Sequence, residues 1–266
     1  MPIMPVNGQG IFYQDSGGDK PAVIFMHGFL FDQHMFDAQV SALEADFRCI
    51  RFDARGFGQT EWDGNAFDMY DTASDCLGLM DSLGLQQAVI VGMSQGGYAA
   101  LRFAIRYPER LKALVLMSTF TGVRPDDFAQ VYQAIRDNWV QNGPVDPMLD
   151  QLMTVLIGPK EKTEAFWQAW RPRWKDQSGD SIYHTINALL DRDVIEDAQV
   201  SAIPVPALVI HGKEDHGIPF ALGQQMAKLL SHNKGLVEVS GAAHAANMTH
   251  PHIVNPALHQ FLKQYA

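Results

Sequence analysis

A β-branched run closing on a serine between glycines, Val89-Ile90-Val91-Gly92-Met93-Ser94-Gln95-Gly96-Gly97, carries the clearest chemistry in the chain. The residues after it keep helical spacing to Tyr107, so Ser94 is expected on a tight strand-to-helix turn that exposes its hydroxyl. Gly92 and Gly96 have a steric reason there, because strand and helix close on each other and leave no room for a Cβ. A serine hydroxyl is a weak nucleophile by itself. It needs a base within hydrogen-bond reach, a group that orients the base, and donors for the oxyanion that develops on the attacked carbonyl.

Candidates for each lie elsewhere in the chain. His244 follows the strand-like Leu236-Val237-Glu238-Val239 through Ser240-Gly241-Ala242-Ala243 and is the expected base; His250 and His252, beside Pro251, fit the start of a last helix better. The strand-like Ala207-Leu208-Val209-Ile210-His211 leads through Gly212 to Glu214 and Asp215. Asp215 fits best as the orienting acid, with Glu214 as its immediate competitor. One oxyanion donor is expected at the backbone N–H of Gln95, at a helix N-terminus where partial positive charge favours an anion. The other is expected from Phe29, after the strand Ala22 to Met26 and the turn His27-Gly28.

These residues resemble an α/β-hydrolase-fold protein. The resemblance rests on His27-Gly28-Phe29, on Phe52-Asp53-Ala54-Arg55-Gly56-Phe57-Gly58, on the Ser94 turn, and on the Asp215 and His244 loops, in the order serine, acid, histidine. It spans nearly the whole chain and is similar to small bacterial esterases, enol-lactonases and cofactor-free haloperoxidases, or perhydrolases. Many of those relatives carry methionine or leucine where this chain has Gln95. The resemblance implies hydrolysis of a small, largely apolar ester or lactone through an acyl-enzyme, without a cofactor. Carbon–carbon hydrolysis of a ring-cleavage diketone and peracid formation use the same three side chains. A slow-turnover ligand-binding receptor of this fold is the reading from another class.

The elements needed to position these groups can be read from periodicity. Strands are expected at Ala22 to Met26, Phe47 to Asp53, Ala88 to Met93, Lys112 to Met117, Ala207 to His211 and Leu236 to Ser240, after a first hairpin covering Gln9 to Asp15. Helices are expected over Asp68 to Leu83, Gly96 to Tyr107, Pro219 to Leu230 and through Leu258 to Tyr265. The alternation implies an α/β fold with a mostly parallel, doubly wound sheet. Its core is expected in residues 1–120 and 204–266. Between about 121 and 203 helical patterns follow one another without a convincing strand, which is read as an inserted helical cap. Four of the five tryptophans, Trp139, Trp167, Trp170 and Trp174, fall there. Trp139, Trp167, Trp170 and Met153 are the expected pocket residues, the alternative for each being packing of cap on core.

Composition narrows the partners. A chain of 266 residues with 47% hydrophobic content can bury a large core, and a formal net charge of −10 disfavours nucleic acid and anionic membranes as partners. The first ten residues lack a basic start and an apolar stretch, so a cytoplasmic protein is expected. Cys49 and Cys76 are expected as two buried free thiols. No metal-ligand spacing and no phosphate-binding glycine loop appears. Asp53 and Arg55 are read as loop braces, His27 as holding the oxyanion turn, His34 as bordering the pocket or exposed, His216 as solvated, and Arg171 to Lys175 as a solvated turn.

Overall fold

The computed structural model describes residues 2–121 and 126–266. Eight strands, β1 (Ile3–Val6), β2 (Gln9–Asp15), β3 (Ala22–Met26), β4 (Arg48–Phe52), β5 (Ala88–Met93), β6 (Leu111–Met117), β7 (Ala207–Gly212) and β8 (Asn233–Val239), form one sheet in the order β1-β2-β4-β3-β5-β6-β7-β8. β1 and β2 pair antiparallel, β2 joins β4 antiparallel, and all later pairings are parallel. β3, β5 and β7 are buried along their whole length, as strands covered on both faces must be.

β1 is not among the strands expected from periodicity. Asn7 and Gly8 both have positive φ, 50° and 79°, which is the two-residue turn that suits a hairpin twist. Asn-Gly was therefore a legible signal. β8 begins three residues earlier than expected, at Asn233, because Gly235 at a φ of 156° breaks the apolar alternation without ending the strand.

Helices cover both faces. α1 (Asp37–Leu43), α2 (Met69–Ser82) and α3 (Gln95–Arg106) precede or follow the early strands, and α9 (Phe220–Leu229), α10 (Ala246–Thr249) and α11 (Pro251–Tyr265) follow the late ones. Asp68 caps α2 with a reciprocal Asp68–Asp71 capping box, and Gly84 at φ 69° ends it. Pro219 is the N-cap of α9 rather than its first helical residue.

Between β6 and β7 lie α4 (Asp126–Asn142), α5 (Asp146–Leu156), α6 (Lys160–Lys175), α7 (Gly179–Leu190) and α8 (Asp197–Ser201), with no strand among the described residues. Arg171 to Lys175, expected as a solvated turn, form the end of α6 and are ion-paired. Arg171 reaches Asp146 and Asp150, Lys175 reaches Asp146 at 2.7 Å, and Arg173 pairs with Asp32 of the core. Pro172 sits inside this helix, and the packing of Trp167, Trp170 and Trp174 on one buried stripe holds the turn despite the missing donor.

The core has two apolar layers, one on each side of the sheet. One side gathers Ile24, Ile90, Leu101, Phe103 and Leu114 under α2, α3 and α9. The other gathers Phe25, Phe31, Val91 and Val115 and runs without a break into Trp139, Trp170 and Trp174 of the inserted helices. Helices and sheet thus share one core.

Candidate active site

Ser94 stands at the end of β5 with φ 51° and ψ −114°, a conformation a residue with a side chain adopts only at a cost of order 1–3 kcal/mol. Surrounding contacts impose it. The Ser94 N–H donates to the Met117 carbonyl at 2.9 Å, and the Ser94 carbonyl accepts from Tyr98 N–H and Thr119 Oγ1, both at 3.0 Å. The crossing of β5 and α3 is as close as the glycines required. A Cβ on Gly96 would lie 2.1 Å from the Met26 carbonyl oxygen, and one on Gly92 would lie 2.5 Å from the Gly96 oxygen.

His244 and Asp215, 29 residues apart in sequence, meet through a 2.7 Å hydrogen bond from Nδ1 to Oδ2. Both are buried, His244 at 3% and Asp215 at 4% exposure. The second carboxylate oxygen accepts the Ile218 N–H at 2.7 Å. Glu214, the competitor, points to solvent and contributes its N–H to the Ala242 carbonyl. With Nδ1–H turned to Asp215, the His244 Nε2 is the ring atom left for a substrate or nucleophile.

Two residues not among the expected site residues hold this pair. His211, fully buried at the end of β7, lies with Nε2 2.9 Å from the Ile218 carbonyl and 3.3 Å from Asp215 Oδ2. The carbonyl is an acceptor, so Nε2 carries the proton, and the same N–H faces the carboxylate. Ser118, at φ 44° just past β6, donates its Oγ to the His244 carbonyl at 2.7 Å. His211 is legible only as a polar residue in a buried strand four positions before the acid. Ser118 gave no sequence signal.

Electrostatics follow from this arrangement. Burial opposes ionisation of Asp215, but the His244 imidazole and the hydrogen bonds from His211 and His244 outweigh it and hold the carboxyl well below the usual carboxylate range. Asp53 is the contrast: burial raises it, although it accepts N–H groups from Gln33 at 2.9 Å and Gln59 at 2.8 Å. Asp53 thus pins two loops. Arg55 is bound by Asp75 at 2.6 and 2.8 Å, away from the serine. His27 takes the Ala54 N–H on Nε2 and faces its Nδ1 to the Gly28 carbonyl, both at 2.9 Å, which fixes the turn before Phe29.

Ser94, His244, Phe29, Tyr98, Leu189 and Ile218 line one constricted cavity, whose free volume of about 10 Å³ is roughly the room of one water molecule. Arg192 also lines it, stacked 4.6 Å from the Tyr98 ring. Among the described residues the backbone N–H groups of Phe29 and Gln95 have no hydrogen-bond partner. The Gln95 side chain is buried, and among the described residues neither of its amide atoms has a hydrogen-bond partner.

The expected pocket residues sit elsewhere. Trp139 donates to the Gln177 carbonyl at 3.2 Å and Trp167 to the Gly158 carbonyl at 3.0 Å, Trp170 packs edge-on against Phe31, and Met153 is fully buried. None of the four lines this cavity. The three tryptophans instead anchor the inserted helices, because a buried indole is spent on packing before it can meet a ligand, and Met153 is likewise packed in the core. His34 is half-buried beside Asp37, and His216 is exposed.

Among the described residues no group of three or more His, Cys, Asp or Glu gathers as a metal site, and no helix is long and apolar enough to cross a membrane. Cys49 and Cys76 are buried free thiols; burial pushes Cys49 up to about 12 and raises Cys76 as well.

Residues 21–251 match the α/β-hydrolase-fold family. The chain belongs to that family. It is 29% identical to a bifunctional esterase/perhydrolase of Acinetobacter calcoaceticus over 97% of both chains. It is 26% identical to 3-oxoadipate enol-lactonase 2 of Acinetobacter baylyi over 93% of this chain and 90% of the other. Among solved structures, a thermophilic esterase from Thermogutta terrifontis superposes with a TM-score of 0.87 at 25% identity, covering 96% of this chain and 93% of its own. This α/β hydrolase therefore has esterase and lactonase relatives that match 93% or more of its chain.

Proposed function

We propose that this α/β hydrolase cleaves a small, largely apolar carboxylic ester or lactone through an acyl-enzyme on Ser94. The observation that carries the reading is the buried 2.7 Å bond between His244 Nδ1 and Asp215, with His244 and the strained Ser94 on one cavity. Ser94 Oγ attacks the substrate carbonyl while His244 Nε2 takes its proton. The N–H groups of Phe29 and Gln95 receive the oxyanion, each worth about a hundred- to a thousandfold in rate. His244 returns the proton to the leaving oxygen, and a water that it then deprotonates releases the acyl group. Asp215 orients the ring and stabilises the imidazolium between these transfers.

The test is release of p-nitrophenol from short-chain esters together with labelling by a fluorophosphonate. The native chain is expected to turn over and to take one label, and Ser94→Ala to do neither. Labelling that persists in Ser94→Ala would defeat the nucleophile assignment, and tight ligand binding with negligible turnover would favour a receptor.

Arg192 supports a second reading. A guanidinium on the cavity wall suits a substrate that carries a carboxylate beside the scissile bond, as a ring-cleavage lactone or diketone does. Arg192→Met separates the two: a drop of at least about tenfold on a carboxylated lactone, with neutral esters much less affected, favours the charged substrate.

A further inference from the structure

The cavity at Ser94 is too small for most of an ester, yet a much larger apolar groove adjoins it. That groove, of about 600 Å³, lies between α4, α5 and the start of α9, and its walls include Val131, Ile135, Met148, Leu152, Val155 and Leu222. Its volume falls in the range of small-molecule sites. Phe128, Tyr132, Leu156 and Gly217 line both spaces, so the two meet at a shared neck.

The side on which the groove opens identifies its occupant. Ser94, Phe29 and His244 all line the cavity and none of them lines the groove. His216, Gly217 and Pro219 line the groove, and Gly217 lies against His244, since a Cβ there would sit 3.5 Å from the imidazole Cγ. The leaving oxygen must take its proton from His244, so the alcohol portion of a substrate departs on the histidine's side. We infer that the groove binds the alcohol portion of the substrate as an unbranched aliphatic chain, and that the enzyme is selective for esters of medium-chain alcohols.

This inference rests on the ester-hydrolase reading and deepens it. A chain entering the groove leaves water for surfaces with few polar groups, among them Gln151 and His216 at the margin. Each buried methylene is worth about fourfold in binding. The acyl portion keeps to the constricted side beside Phe29, where little room exists.

Initial rates on methyl, butyl and octyl acetate, followed by acid release in a pH-stat, test it. For the native protein kcat/KM is expected to rise at least tenfold from methyl to octyl acetate. Leu152→Asp, which places a charge on the groove wall, is expected to lower the octyl-to-methyl ratio at least tenfold. Val131→Asp, at an exposed position on the rim, is expected to lower it severalfold and keeps the test open if Leu152→Asp does not fold. A ratio that stays flat in the native protein, or that neither variant moves, overturns the groove assignment while leaving ester hydrolysis standing. A ratio that rises only along methyl hexanoate and methyl octanoate assigns the groove to the acyl chain and overturns the inference. No hydrolysis of any ester in the panel sinks the ester-hydrolase reading itself, and the groove assignment with it.

Discussion

At the scale of single residues, the acid–histidine pair explains why the carboxylate is Asp215 and not Glu214. Asp215 is short enough to remain within the turn that Ile218 N–H closes, while its other oxygen reaches His244. Asp215→Asn keeps the shape but presents an amide to the imidazole, favouring the wrong tautomer. Turnover should fall on the order of thousands, with the circular dichroism spectrum and melting temperature of a folded protein. An unaffected rate would remove Asp215 from the proposed mechanism. The same carboxylate carries a pH signature. Its folded value is depressed, so the stability it contributes is complete above the ordinary unfolded value of about 3.9 and is lost as pH falls below it. Urea midpoints of the native chain should therefore fall more steeply below about pH 4 than those of Asp215→Asn; parallel curves would contradict the assigned electrostatics. His211, whose Nε2–H faces Asp215, supports the same ion, and its Nδ1, which has no partner among the described residues, has room only because position 223 is glycine, where a Cβ would lie 2.3 Å from that nitrogen.

At the scale of elements, the crossing of β5, α3 and β3 sets the serine's pose. A methyl at Gly96 cannot be relieved by a side-chain rotation, because the atoms it meets are the carbonyl groups of Met26 and His27. Gly96→Ala should cost at least about 3 kcal/mol. Chemical denaturation reads this directly, and a loss under about 1 kcal/mol would mean that the helix shifts to make room. The parallel strands were legible because they are continuous apolar runs between turn residues, and Ser94, Asp215 and His244 stood out as candidates because each follows such a run. β1 is short and partly exposed, so its signal lay in the Asn7-Gly8 turn rather than in hydrophobicity. Pocket residues were not legible: the aromatic richness of 121–203 does not say which ring faces inward, since packing on α6 and binding substrate demand the same residue types.

At the scale of the whole molecule, the inserted helices and one sheet face bury a single apolar cluster, and charges reinforce the seam. Arg102 of α3, 1% exposed, binds Asp193 between α7 and α8, and Arg173 of α6 pairs with Asp32 of the core. A group of helices that cannot close its own core does not unfold alone. Calorimetry is expected to record one cooperative transition for the full chain; two resolved transitions would mean that the inserted helices form an independent unit.

The sequence by itself determined the parallel strands, the family and the positions of Ser94, Asp215 and His244 beyond strand ends, because hydrophobic period and turn chemistry are local properties of the chain. Tertiary structure alone decided that His211 and Ser118 reach the acid and the histidine, that the tryptophans are anchors, and that an apolar groove opens on the histidine's side. Those outcomes depend on which surfaces remain uncovered after helices pack, and packing couples residues whose spacing along the chain carries no trace of the contact.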